Sequence, residues 1–473
     1  MRILRQTIIL VLLIFSILLE PQTSIPQEQD NELWSGIYIK GKKSGYSVSS
    51  IKKTEEGYII SEKVEMVLKV MNTYQRITTT STINTDPNLL MDSFTYQINS
   101  AATSLSLNGR IVNNNLHIKT TTGKEDIVLP FKGRPFLSAN IIHYLFKRGI
   151  KENVRYKINI LDPSTLSQDE MAIELVEKEK RKVGNITEDA YHLKGTYKGM
   201  NMHTWVKQDG RTIREESPLG ITIVQEPRET AIREPKEDEL IDIIEASAVA
   251  ANVQIKEPAK VRYLKARLHG VDLKGFRMND ERQRISGDII EVRSEDIVGA
   301  IHELPLPLPI SKKGLEAYLG ATPFIQSNDK EIISLAKNII RDERDSLRAA
   351  MLINDWVYRN IQKRPTVSIP SATDVLKMRA GDCNEHTTLF VALARAVGIP
   401  ARINAGMVYL GDRFFYHTWP EVYVGKWLAV DPTLNQFPAD ATHIRFVTGD
   451  LDKQIEMMKV INRLKIEVIE HGN

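Results

Sequence analysis

The chain has 473 residues, 42% of them hydrophobic and 26% charged, an ordinary globular composition with length for about three domains. Its 63 basic and 60 acidic residues are mixed without long runs of one sign, and the net charge of +3 excludes the electrostatic footprint of a nucleic-acid binder. A single cysteine excludes an internal disulfide and gives a poor start to a structural metal site.

Arg2 and Arg5 precede an apolar run from Ile8 to Leu19, interrupted only by Ser16 and closed by Glu20-Pro21. That is the pattern of an export signal, and it is short for the roughly 30 Å of a hydrocarbon core. Residues 1–25 are therefore read as a signal peptide or N-terminal anchor. The folded chain is expected outside the cytoplasm, in the periplasm or cell envelope. The text that follows, "LEPQTSIPQ", lacks an Ala-x-Ala cleavage pattern, so residues 7–19 would tether an uncleaved chain to the membrane.

Residues 30–226 read as an antiparallel β domain. Val64, Met66, Leu68 and Val70 alternate with polar residues, the period of a half-buried strand. Asn108-Gly109 lies between two strand-like runs and predicts a hairpin turn, and Thr78 to Thr82 favours strand. His117, His143, His192 and His203 are scattered and read as surface or core residues, not ligands. "EPRETAIREPKEDE", from Glu226, is charged and proline-marked and reads as a linker. A helix near Leu240 to Ala251 and a strand in "KVRYLKARLHGVDL" make 240–303 a small mixed domain. Leucine alternates with proline from Leu304 to Pro309, so 304–312 is expected as an extended spacer.

Helices begin after it, in a catalytic domain placed at 315–473. Asn328 with Glu331 has the form of a capping pair before Ile332, Leu335, Ala336, Ile339 and Ile340. A second helix is expected from Ser346 to Gln362 and a short third in "SATDVLKM", capped by Ser371. From Cys383 the apolar positions Leu389, Phe390, Leu393, Ala394 and Val397 fall on one helix face, and Gly398 with Pro400 ends it. The lone cysteine thus opens a helix, where unpaired N–H groups and the helix dipole favour thiolate over thiol. Strand text follows and carries His417, and beyond it Asp431. Nucleophile, base and orienting carboxylate are the components of covalent acyl-transfer catalysis.

The stretch "GDCNEHTTLFVALARAVGIPARINAGMVY" with the later "HTWPEVYVGKWLAVDPT" resembles the core of the transglutaminase-like superfamily, over about residues 315–450. The resemblance implies a papain-like domain whose cysteine helix packs on an antiparallel sheet and gives the N-terminal two thirds no family identity; with the antiparallel β domains read there from strand alternation, the chain is expected to be α+β. The resemblance also implies Cys383 as nucleophile, His417 as general base and acid, and Asp431 as the group orienting the imidazole. No cofactor and no metal are called for; Cys383 and His386 lie one helical turn apart but lack convincing further ligands. Glu385 and His386 are expected to face the sheet. Trp419 and Trp427 fit either a substrate cleft or an aromatic core, and Trp356 and Tyr358 stand upstream as candidates for the oxyanion hole.

The function expected is an exported cysteine acyl-transfer enzyme acting on amide or peptide bonds of a protein or peptide substrate. Hydrolysis is slightly favoured over cross-linking, since transamidation must also exclude water. The rival is a silent envelope binding or scaffold protein on the same fold. One detail can be counted from residues. A two-residue Gly425-Lys426 hairpin would put Asp431 on the face opposite His417, whereas a three-residue loop pairing Tyr423 with Trp427 brings both to one face. The three-residue loop is predicted.

Overall fold

The computed structural model describes residues 32–473 apart from 102–103, 122–125, 132, 184–185, 298–303 and 308–313. The expected signal or tether therefore lies outside the described residues. Two units meet in sequence at Asp242 and Ile243.

The N-terminal unit is built on one fourteen-stranded sheet. Eight strands follow one another from Glu32–Ile39 to Ile127–Pro130, and six from Arg155–Asp162 to Ile221–Gln225. The two series join where Ser35 to Ile39 pairs antiparallel with Ile221 to Gln225. The alternation read from the sequence is the cause of the layering: Val64, Met66, Leu68 and Val70 are all buried. A helix, Ser138–Lys147, packs Ile141, Ile142 and Leu145 against Ile158, Ile160, Met171 and Ile173.

Two local expectations fail here for physical reasons. Asn108-Gly109 is not a turn but the middle of strand Ser104–Val112. Gly109 lies opposite Phe94, and a Cβ there would sit 2.0 Å from the aromatic ring, so the glycine makes room for a side chain. The turn falls instead at Asn113-Asn114, both with positive φ. The stretch from Glu226 is not a free linker either. It forms a short helix, Arg228–Ala231, with Ala231 fully buried, and the buried Lys43 Nζ bonds Glu226 and the Thr230 carbonyl.

In the C-terminal unit the expected helix at 240–251 shortens to Ile243–Ser247, with the Ser247 hydroxyl donating to the carbonyls of Ile243 and Ile244 in its last turn. Val249 then enters a sheet. Strands Tyr263–His269, Gln283–Ser286 and Ile289–Arg293 form a second sheet completed by Lys465–Gly472 at the chain's far end. That pairing corrects the division into domains: 240–303 belongs with 315–473 and is not a domain of its own. Of the proline spacer, Leu304 to Leu306 is docked, with Leu304 N–H on the Asp345 carboxylate and Ser346 N–H on the Leu304 carbonyl. Residues 308–313 lie outside the described part.

Four helices follow, α1 (Lys330–Ile340), α2 (Ser346–Asn360), α3 (Ala372–Met378) and α4 (Cys383–Ala396). Asp329, not Asn328, caps α1 by accepting from the N–H groups of Glu331 and Ile332. Ser371 stands at the cap position of α3 without a capping bond. From Cys383 to Arg395 every residue of α4 is buried, so the helix is enclosed on all sides and not only on the apolar face that the pattern marked. Leu389, Phe390, Val391 and Leu393 share one core with α1, α2, α3 and the sheet residues Ile403, Val422, Leu428 and Val430.

That sheet contains β1 (Val249–Ala250), β2 (Ala401–Leu410), β3 (Arg413–Tyr423), β4 (Trp427–Ala429) and β5 (Ile444–Thr448), ordered β1-β3-β2-β5 with β4 also on β3. The hairpin from β3 to β4 has the three-residue loop that the sequence predicts. Tyr423 pairs with Trp427, Val424 N–H bonds the Lys426 carbonyl, and Gly425 takes φ +88°.

Candidate active site

One edge of β3 is paired along its length by β2. On the other edge β1 pairs only Arg413 and Phe414, and β4 only Glu421 to Tyr423. The gap between them receives the first turn of α4. Thr387 Oγ1 donates to the Thr418 carbonyl at 3.2 Å, and the Thr418 hydroxyl donates to Asn384 Oδ1 at 3.2 Å. Asn384 Nδ2 lies 3.7 Å from the Cys383 sulfur. The helix start is thus stapled to the residue next to His417.

On β3 and its continuation, the register brings His417 and Asp431 together. His417 Nε2 donates to Asp431 Oδ2 at 2.7 Å, both side chains having zero exposure. The other carboxylate oxygen accepts from the N–H groups of Thr433 and Leu434 at 2.7 and 3.0 Å. With Nε2 committed, Nδ1 is the imidazole nitrogen left for proton exchange, and it has no hydrogen-bond partner among the described residues. Cys383 is brought against Thr418 of the same strand, and His417 Nδ1 makes no hydrogen bond to its thiol.

The electrostatics correct the expectation of a thiolate. Burial pushes the Cys383 thiol well up, and the neighbouring Asp382 adds to this; hydrogen bonding from Thr418 opposes it without prevailing. The helix terminus does not win because its N–H groups already serve carboxylates. Asp382 accepts from Asn384 N–H, while Glu385 reaches back to the Asp382 N–H at 2.8 Å in a capping box. Glu385 also takes the hydroxyls of Thr366 and Ser368. It does not face the sheet, and neither does His386 Nδ1, which lies 2.6 Å from the Asp382 carbonyl. Burial lowers His417 below the ordinary imidazole range, with Asp431 opposing. Burial alone would raise Asp431, but His417 and then His443 hold it well below the carboxylate range. The resting pair is a neutral thiol and a neutral imidazole.

His443 is the residue that sequence reasoning missed. Its Nε2 lies 3.1 Å from the same Asp431 Oδ2, and its Nδ1 3.2 Å from Asp440 Oδ1. As a lone histidine ahead of β5 it carries no pattern; only the turn "DATH", with Asp440 bonding Thr442, hints at a fixed geometry. His417, Asp431 and His443 place one donor atom each within 4.8 Å of one another, as metal ligands do. Both imidazoles already bond the same Asp431 oxygen, at 2.7 and 3.1 Å, and we read the group as a proton-bonded network.

Trp419 is core: fully buried, it packs with Ala429 and Ala439 and stacks on His417 at 6.0 Å. Trp427 lies with Tyr318, Tyr423 and the Arg402 guanidinium. Trp356 and Tyr358 carry Arg379 and Lys363 over their ring faces.

Residues 333–432 match the family model of the Transglutaminase-like superfamily. This transglutaminase-like segment ends just past Asp431 and leaves His443 outside it. An uncharacterized protein of Haemophilus influenzae is 32% identical over 122 residues, which are 24% of this chain and 33% of that one. The chain thus covers a third of the length of this curated relative. Among solved structures, a protein provisionally designated a cysteine protease, from Cytophaga hutchinsonii, is similar at 19% identity with a TM-score of 0.30. The likeness covers 45% of this chain and 85% of that one. A β-barrel-like protein from Brucella abortus covers 41% of this chain and 93% of its own, at 10% identity and a TM-score of 0.33.

Proposed function

We propose that the transglutaminase-like segment is a cysteine acyl-transfer enzyme that hydrolyses amide or peptide bonds. The observation that carries the reading is the His417–Asp431 bond at 2.7 Å, which leaves His417 Nδ1 unpartnered beside the strand residue that anchors the Cys383 turn. In this mechanism the free nitrogen of His417, Nδ1, is the base that the thiol meets. His417 takes the thiol proton as sulfur bonds the substrate carbonyl carbon, and Asp431 stabilises the imidazolium. Collapse expels the amine, which leaves with that proton, and a thioester remains on Cys383. Water, deprotonated by His417, attacks the thioester and releases the acid and the thiol. An amine in place of water would give transamidation through the same residues. The apolar run of residues 8–19 supports export and an envelope substrate of protein or peptide nature.

A second reading, a binding protein that has kept the fold without turnover, is favoured by the complete burial of Cys383 and its missing bond to His417. Mutant kinetics on envelope peptides separate the two. Under the enzyme reading Cys383→Ala and His417→Ala each abolish turnover, the double variant is no worse, and Asp431→Ala retains a small residue of activity. A Cys383→Ala protein with undiminished turnover rules the enzyme reading out.

A further inference from the structure

Asp431 is held more completely than an orienting carboxylate needs for one imidazole. Oδ1 is fixed by two backbone N–H groups, and Oδ2 is shared between His417 and His443. Behind His443 stands a second carboxylate with its own supports. Asp440 accepts from Thr442 N–H and Oγ1 on Oδ1, and from Gln436 Nε2 on Oδ2 at 2.6 Å, while its N–H bonds Gln436 Oε1. Its carbonyl takes the Arg282 guanidinium at 2.6 Å, and Arg282 pairs with Glu295. Every side chain in the series from His417 to Asp440 is buried to 2% exposure or less.

We propose that His443, seated by Asp440, is a positioning residue that fixes the Asp431 carboxylate toward His417 and tunes His417 as a base. The inference rests on the enzyme reading above and deepens it. The groups facing His443 are Asp431, Asp440 and His417, with the edge of Trp419 against its ring and Arg282 one contact away on Asp440. Between two carboxylates His443 stays protonated at neutral pH: burial opposes this, but Asp440 and Asp431 push its pKa up to about 9. A cation there disfavours a second positive charge on His417 while holding Asp431 in place, which keeps His417 a neutral acceptor. Removing His443 therefore does two things. It frees one contact on Asp431 Oδ2, and it lets His417 hold its proton to higher pH.

The test uses the full chain and iodoacetamide. Cys383 is the sole cysteine, so its alkylation rate needs no assignment. Rates are measured from about pH 5 to about pH 9, where imidazoles titrate, for wild type, His417→Ala, His443→Gln and Asp440→Asn, with circular dichroism as the check on folding. Expected is a loss of roughly tenfold at neutral pH in both His443→Gln and Asp440→Asn, and an acid limb displaced upward by about one pH unit. Their double variant should match His443→Gln, because Asp440 acts through it. A residue that only props the fold would lower rates without moving the limb. If His443→Gln fails to fold, Asp440→Asn, which keeps volume and the Arg282 contact, carries the test alone. Folded variants with the wild-type profile, alongside an altered His417→Ala, overturn the inference and leave the enzyme reading standing. A His417→Ala profile equal to wild type overturns the enzyme reading itself.

Discussion

At the scale of single residues, the site is a row of buried groups whose charges are set by one another more than by the fold at large. His443 makes this measurable in stability. Its pKa is raised in the folded chain from 6.5 to about 9, so its charged form contributes stability that is fully present below about pH 6.5. That contribution is lost as pH rises through about 9. A shift of this size corresponds to on the order of 3 kcal/mol. Denaturant unfolding of wild type and His443→Gln should therefore differ most near pH 6.5 and converge by that amount above pH 9; a gap independent of pH would refute the assignment. Of these residues, the His417–Asp431 pair and the place of Cys383 at a helix start were legible from order, element type and spacing. His443 and Asp440 were not, since a histidine between turn and strand has no periodic signature. Glu385 was misjudged because a helix N-terminus offers a nearer partner than the sheet does.

At the scale of elements, the His417–Asp431 bond depends on a count of residues in one hairpin. The loop Val424 to Lys426 sets a register that pairs Tyr423 with Trp427 and puts the Val430 N–H on the Pro420 carbonyl, with Asp431 then within reach of His417. Inserting one residue between Leu428 and Ala429 keeps the Tyr423–Trp427 pair and moves Asp431 one position along its partner strand, which turns it to the other face. The prediction is a loss of turnover at least as large as that of Asp431→Ala, with the His417 bond absent from a crystal structure of the variant. Turnover at the wild-type level would show that the register does not matter. The same logic of steric room explains where reading by pattern went wrong. Asn108-Gly109 has turn composition, yet the ring of Phe94 needs that glycine inside the strand, while Asn113-Asn114 makes the turn. Tertiary packing overrode a local preference.

At the scale of the whole molecule, strand text predicted the N-terminal sheet well, because alternation is written residue by residue. The extent of the C-terminal unit was not written locally. Strand Lys465–Gly472 joins Tyr263–His269 across some two hundred residues, and no composition change announces a pairing of that range. The consequence for function is that Arg282, from the segment read as a separate domain, ends on the carbonyl of Asp440 and so supports the site. The central claim remains covalent chemistry at Cys383, and trapping the acyl-enzyme tests it most directly. Full-length protein is mixed with an envelope peptide extract, quenched in acid and weighed by mass spectrometry. The account predicts a peptide adduct on Cys383 that hydroxylamine releases, absent from Cys383→Ala and His417→Ala. Wild type that binds envelope peptides as well as Cys383→Ala does, and never carries an adduct, would contradict it.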